Sequence, residues 1–229
     1  MEEPGIFSTL FSPIEFLFTS ILNFFYNFTE SLGFGSYGVA IILLTVLMKI
    51  LLYPLTVKQL QSMKAMQQIQ PKMQRLQEKY KDNPQLLQQK MMKLYQDAGV
   101  NPAAGCLPIL AQMPILMAMY YTLFNFNYGD VTPSFLWLPN LSEPDPTYAL
   151  PLLSALSTFV LQKVSAVAAP PNAQSKIFMA IMPIFIGWIS INFPAGLVLY
   201  WVTMNMVQMF QQLWIYRDTE NQEVEKKQE

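Results

Sequence analysis

The 229-residue sequence contains no histidine and a single cysteine, Cys106. Those scarcities exclude an intrachain disulfide, a histidine-based catalytic triad, an HExxH zinc site and a CxxC redox pair, and with them most intramembrane enzyme chemistry. No glycine-rich phosphate loop occurs, so no nucleotide site and no cofactor are expected, and nothing points to specific nucleic-acid contact. Charge is scarce too, at 13% of residues and a formal net of -1. The total therefore says little about partners, and the distribution of charge along the chain has to supply that information. The opening "MEEPG" is acidic and lacks both a basic n-region and a small-residue cleavage site. It predicts no signal peptide and no transit peptide, and the first ordered element is expected to belong to the working protein.

What the chain has in excess is apolar residues, 52% of the total, gathered in long runs rather than at amphipathic spacing. That is a membrane-protein profile. Five segments are expected to span: 36–56, 107–124, 148–164, 177–193 and 195–216. At a rise of ~1.5 Å per residue the first reaches about 32 Å, enough for a ~30 Å hydrocarbon core, whereas 17 residues reach only about 26 Å. The shorter spans are expected to sit in locally thinned lipid.

An earlier stretch, "SPIEFLFTSILNFFYNFTES", carries Glu15, Thr19, Asn23, Asn27 and Glu30 as a polar stripe, and Ser12 with Glu15 fits a capping box with Pro13 at the first helical position. It reads as an amphipathic helix lying in the interface, the alternative being a sixth span. Lysine and arginine set the orientation. Residues 1–35 and 125–147 have none, while 57–106 holds Lys58, Lys64, Lys72, Arg75, Lys79, Lys81, Lys90 and Lys93, and 165–176 ends in Lys176. By the positive-inside rule the N-terminus is outside and the C-terminal tail, 217–229, is cytoplasmic, an arrangement that five spans satisfy.

The basic 57–106 segment is itself patterned. Leu60, Met63, Met66, Ile69, Met73, Leu76 and Tyr80 follow a three/four spacing, "KDNP" breaks the chain, and Leu87, Met91, Leu94 and Ala98 resume it. The pattern predicts a cytoplasmic hairpin of two antiparallel helices that ends at "AGVNP", with Pro71 as a kink.

Within the first span lies a lysine, Lys49. A lysine at the centre of an isolated span costs about 2.5 to 3.5 kcal/mol on insertion scales, yet none of the five spans contains Asp or Glu to offset it. Polar residues of several helices do form stripes. Thr45, Lys49, Tyr53 and Thr56 share one face, Ser154, Thr158 and Gln162 another, Trp201, Asn205, Gln208 and Gln212 a third, and Gln112 adds one more position. Stripes converging on a common interior imply a wet, positively charged cavity. Two plainer readings stand beside it: Lys49 can snorkel to the cytoplasmic headgroups, and each Gln or Asn can simply bond a neighbouring helix.

Three blocks, "YPLTVKQLQSMKAMQQIQPKMQRLQEKY", "MMKLYQDAGVNPAAGCLPILAQMPILMAMYYTLF" and "FPAGLVLYWVTMNMVQMFQQ", resemble the YidC family of membrane protein insertases over residues 36 to 217. The resemblance implies an all-α polytopic fold, with five transmembrane helices around a hydrophilic groove open to the cytoplasm and to lipid and closed on the outer side. It places the chain in the bacterial plasma membrane and implies that it inserts and helps fold nascent membrane proteins. The Sec translocon, the ribosome, the signal-recognition-particle receptor and membrane lipids are the implied partners. Lys49 stands where many bacterial members carry arginine; it keeps the charge and loses the planar fork. Thr45, Gln162, Tyr200, Trp201 and Asn205 fall on positions resembling groove-lining residues, with Gln112 added from the polar pattern. The hairpin methionines Met63, Met66, Met73, Met91 and Met92 suit promiscuous recruitment of clients, and each also suits the hairpin seam.

The chain departs from the family in lacking the large extracytoplasmic domain and extra first helix of Gram-negative members, and the lipobox usual in Gram-positive ones. Its tail, "RDTENQEVEKKQE", is short and of mixed charge, unlike the long basic tails of some relatives. Two readings from other classes remain open: a small-solute transporter or channel lined by the polar stripes, and a Ser/Lys peptidase using Lys49 with Ser154 or Ser157.

Overall fold

The structure, a computed structural model, describes residues 6–101, 107–124, 126, 128, 132–166 and 173–225. Cys106, the opening MEEPG and residues 167–172 of the 165–176 connection lie outside them. Among the described residues the chain is all-helical: α1 Ile6–Ser31, α2 Tyr37–Leu51, α3 Tyr53–Lys79, α4 Pro84–Asp97, α5 Leu107–Phe124, α6 Ala149–Ala166, α7 Ala173–Ser190 and α8 Ala195–Glu225.

The first expected span, 36–56, is not one helix. α2 ends at Leu51, and α3 leaves it at 63° after a single residue. Pro54 is the cause: it has no N–H for the carbonyl of Ile50, its ring crowds that carbonyl, and it disfavours helical geometry at Tyr53. The Leu52 N–H still bonds Met48 O at 3.0 Å, and the Thr56 N–H takes Leu52 O at 2.9 Å as the new helix begins. Lys49 thus sits within one turn of a bend. No single helix among the described residues is long and apolar enough to cross a membrane, although α2 together with Tyr53–Met66 is, as a bent pair.

Helix α8 is the spine. It packs on α2 on one side and on α6 on the other, while α1 packs on α2 and α5, and α7 on α6. Two leaves result, α1/α2/α5 and α6/α7. The core of the first is Phe18 and Leu22 from α1, Ile41 and Leu44 from α2, and Met119 and Leu123 from α5. The N-terminal amphipathic helix is docked on the bundle, with Phe18, Leu22 and Thr29 buried and Phe16, Leu17, Phe24 and Phe28 exposed. Its inner face is apolar at three/four spacing, which is why it finds a packing partner.

The outside of the second leaf is strongly apolar: Leu152, Ile184 and Trp188 are 70%, 71% and 63% exposed. Water penalises such a surface and hydrocarbon does not. Between α6 and α7, a Cβ on Gly187 would stand 2.8 Å from that of Ala155, so the glycine sets the close approach of the pair.

The 132–148 segment closes the end of the bundle from which α2, α6 and α8 start. Its carbonyls at Leu141 and Glu143 accept the N–H groups of Gly196 (2.9 Å) and Ala195 (2.8 Å) at the start of α8. The ring of Phe135 lies against Gly38, where any Cβ would collide with it. Gly38→Ala is therefore expected to destabilise the protein by about 1–3 kcal/mol, read as a lower midpoint in detergent-solubilised thermal unfolding. An unchanged midpoint would mean that the Phe135 loop yields freely.

Candidate functional site: a buried lysine among amides

Lys49 is turned into the bundle and only 7% exposed. Its Nζ donates to Gln208 Oε1 on α8 at 2.6 Å, and its backbone carbonyl accepts from Gln211 Nε2 at 3.1 Å. No carboxylate among the described residues pairs with it. The ammonium is held by a neutral acceptor, so its charge is left uncancelled. The snorkelling alternative does not describe this geometry, because the side chain reaches across to α8.

Thr45, Met48, Lys49, Leu52, Gln112, Ile115, Tyr200 and Met204 line one small pocket between α2, α5 and α8. Gln112 Nε2 donates to the buried Tyr200 hydroxyl at 3.0 Å, and Thr45 Oγ1 turns back to Ile41 O at 2.7 Å. The space left is about one water molecule's worth. In this conformation the side chains of Met48, Met204 and Tyr200 fill the interior, and a polypeptide would have to displace them.

The structure brings four of the expected groove residues together there: Thr45, Lys49, Gln112 and Tyr200. Trp201 and Asn205 point elsewhere. Trp201 Nε1 donates to Thr158 Oγ1 at 3.1 Å, and Asn205 Nδ2 donates to Ser157 Oγ and Thr158 Oγ1 at 3.1 and 3.0 Å. Lower in the same seam Ser165 Oγ donates to Gln212 Oε1 at 3.1 Å. These are interhelical bonds joining α6 to α8, the plainer of the two readings for polar residues in spans. Gln162 lies in this seam as well, but its buried Oε1 has no hydrogen-bond partner among the described residues.

Gln208 belonged to the polar stripe without being singled out, and Gln211 lay outside it. A glutamine one turn from another on the face opposite a lysine was the available signal. Neither Ser154 nor Ser157 faces the amine. Ser154 shares a hydrogen bond with Ser190 at 3.0 Å, and Ser157 accepts from Asn205.

The hairpin methionines divide. Met73 is buried, as is Ile69 one turn earlier, so its side chain offers little surface to a client. Met63, Met66 and Met91 are half-buried, and Met92 is 48% exposed.

A helical bundle with an apolar outer face along α6 and α7, an interior lysine whose amine bonds a glutamine amide, and a basic helical hairpin have the character of a membrane-embedded helical protein. A family model described as "60Kd inner membrane protein" matches residues 28–223. Among similar proteins, the "Membrane protein insertase YidC" of Clostridium perfringens is 43% identical over 218 residues, covering 90% of this chain and 91% of that one. The protein of the same name from Haemophilus ducreyi is 45% identical over 186 residues, 81% of this chain and 34% of the relative. That from Geobacter sulfurreducens is 41% identical over 196 residues, 86% and 36%. The chain thus spans nine-tenths of the clostridial protein and about a third of the other two. A crystal structure titled "Active YidC insertase crystal structure with the first transmembrane domain resolved" superposes with a TM-score of 0.63 at 28% identity, covering 89% of this chain and 45% of that one. The chain belongs to this family of bacterial inner-membrane insertases.

Proposed function

We propose that this chain inserts small membrane proteins by receiving a client's hydrophilic segment between its two leaves, while the client's apolar helix stays against lipid. The observation that carries the reading is the buried Lys49 ammonium whose side-chain partner is an amide. Such a group, already desolvated, attracts a carboxylate more strongly than one in water. Five segments span in this reading: α2 with the start of α3, then α5, α6, α7 and the first part of α8, with the N-terminus outside. Opening displaces Met48 and Met204, whose unbranched side chains rearrange readily. A membrane potential positive outside then favours outward release of a negative tail, by about 2.3 kcal/mol per charge per 100 mV. Photocrosslinking from positions 49, 112 and 200 to a stalled nascent membrane protein tests the path. Crosslinks to lipid alone at all three would reject it.

The α3/α4 hairpin supplies recruitment in this proposal, toward nascent chains and toward a ribosome, a Sec translocon or a targeting receptor. Of its methionines Met92 is exposed and Met66 and Met91 are half-buried, so the triple substitution Met66→Gln, Met91→Gln, Met92→Gln is expected to lower insertion from ribosome-bound clients several-fold. Thermal unfolding should stay unchanged. Full insertion by the triple variant in proteoliposomes would remove the hairpin from client capture.

A further inference from the structure

Hydrogen bonds fix the register of α6 against α8. Thr158 meets Asn205 and Ser165 meets Gln212, both at an offset of 47 residues. That offset sets Gln162 opposite Met209, beside Gln208 and hence level with the Lys49 amine. Gln211 reaches the same level from α8, where its Nε2 is spent on Lys49 O. The side-chain carbonyls of Gln162 and Gln211 are both buried, and no donor among the described residues meets either. Two helices, α6 on one side of α8 and α8 itself, therefore present unmet amide acceptors at the level of the Lys49–Gln208 pair.

We infer that these amides form a second reading element at the site, one that binds the main chain of an extended polypeptide independently of its sequence. The inference rests on the insertase reading above and adds to it a recognition chemistry. A buried acceptor demands a donor, and a peptide N–H is the donor every client carries. An extended segment offers N–H groups at alternating positions along its length, whereas a helix spends them internally. The division of labour is that Lys49 selects acidic tails and the glutamines hold any tail that is still unfolded.

The test uses the full chain in proteoliposomes and single-span clients with a neutral hydrophilic tail, made by in vitro translation. One client is all-amide; the other carries backbone esters at alternate tail residues, which removes N–H donors while leaving the side chains alone. With the unaltered chain the ester client should insert roughly fivefold more slowly. In the Gln162→Met, Gln211→Met variant both clients should insert at one reduced rate, and Gln162→Met alone should narrow the gap, keeping the test valid if the double variant folds poorly. Equal rates for the two clients on the unaltered chain, or a gap that survives the double variant, overturn the inference. An acid-tailed client is run in parallel. If it inserts in a Lys49-dependent way while the ester effect is absent, only the main-chain reading fails; if no client inserts, the insertase reading fails with it.

Discussion

Lys49→Glu is expected to reduce insertion of an acid-tailed client at least tenfold, whereas Lys49→Arg is expected to retain most of it. The amine lies 2.6 Å from Gln208 Oε1, so glutamate at this position sets two acceptors against each other and reverses the sign of the charge that a client carboxylate meets. A charge-assisted hydrogen bond is worth about 1.5–3 kcal/mol net, which is roughly 10- to 150-fold in an equilibrium. Repulsion adds to the loss. Arginine keeps the positive charge and adds a planar fork, so it holds a carboxylate at least as well. Lys49→Gln should fall between them. The measurement is the fraction of client protected from protease in proteoliposomes, with a neutral-tailed client losing far less than the acidic one.

A misfolded variant would mimic that result, and the geometry supplies a control. Because the amine and the Gln208 amide touch, exchanging them as Lys49→Gln with Gln208→Lys returns a positive charge to the same pocket from the opposite helix. Recovery by the exchanged pair would show that the charge at this place matters, independently of which helix bears it. Insertion by Lys49→Glu at the level of Lys49→Arg would end the electrostatic reading.

The helical, membrane-type architecture was legible in the sequence because apolar runs and three/four spacing record which face of a helix is buried. What periodicity does not record is which neighbour lies there. The α8 stripe of Trp201, Asn205, Gln208 and Gln212 reads as one polar face, yet α8 stands between two helices, and the stripe divides. Gln208 turns to Lys49 on α2, while Trp201, Asn205 and Gln212 bond α6. The bend at Leu52 had a sequence sign in "YPLT", but an unbroken apolar run masked it. For α1, amphipathicity showed that one face wanted an apolar environment without saying that Phe18 and Leu22 would find it in the bundle core. Asp145 left no periodic trace at all, since its role depends on a loop folding back over two helix ends.

That loop carries the other large effect. Asp145, 4% exposed, accepts at Oδ1 from the Thr147 N–H (2.9 Å) and hydroxyl (2.7 Å), and at Oδ2 from the Leu150 N–H (2.7 Å) and Trp137 Nε1 (3.4 Å). It satisfies donors at the start of α6 and pins the segment whose carbonyls hold the start of α8. It also sits three residues before Tyr148, a non-glycine residue at a positive φ of 58°, a conformation that needs support from its surroundings. Asp145→Ala leaves the Leu150 N–H buried without an acceptor and removes the cap, at a cost of about 2–4 kcal/mol. Burial pushes the Asp145 carboxyl up, but the hydrogen bonds from Leu150, Thr147 and Trp137 outweigh it and hold the group below its ordinary value. A carboxyl depressed in the folded state stabilises above its unfolded pKa, about 3.9, and loses that contribution as pH falls through the folded value. The difference in unfolding midpoint between the native chain and Asp145→Ala should therefore be constant from neutral pH down to about 5 and shrink only below about 4. A difference that grew on acidification would mean that the carboxyl stabilises in its protonated form, and that these bonds do not govern this end of the bundle.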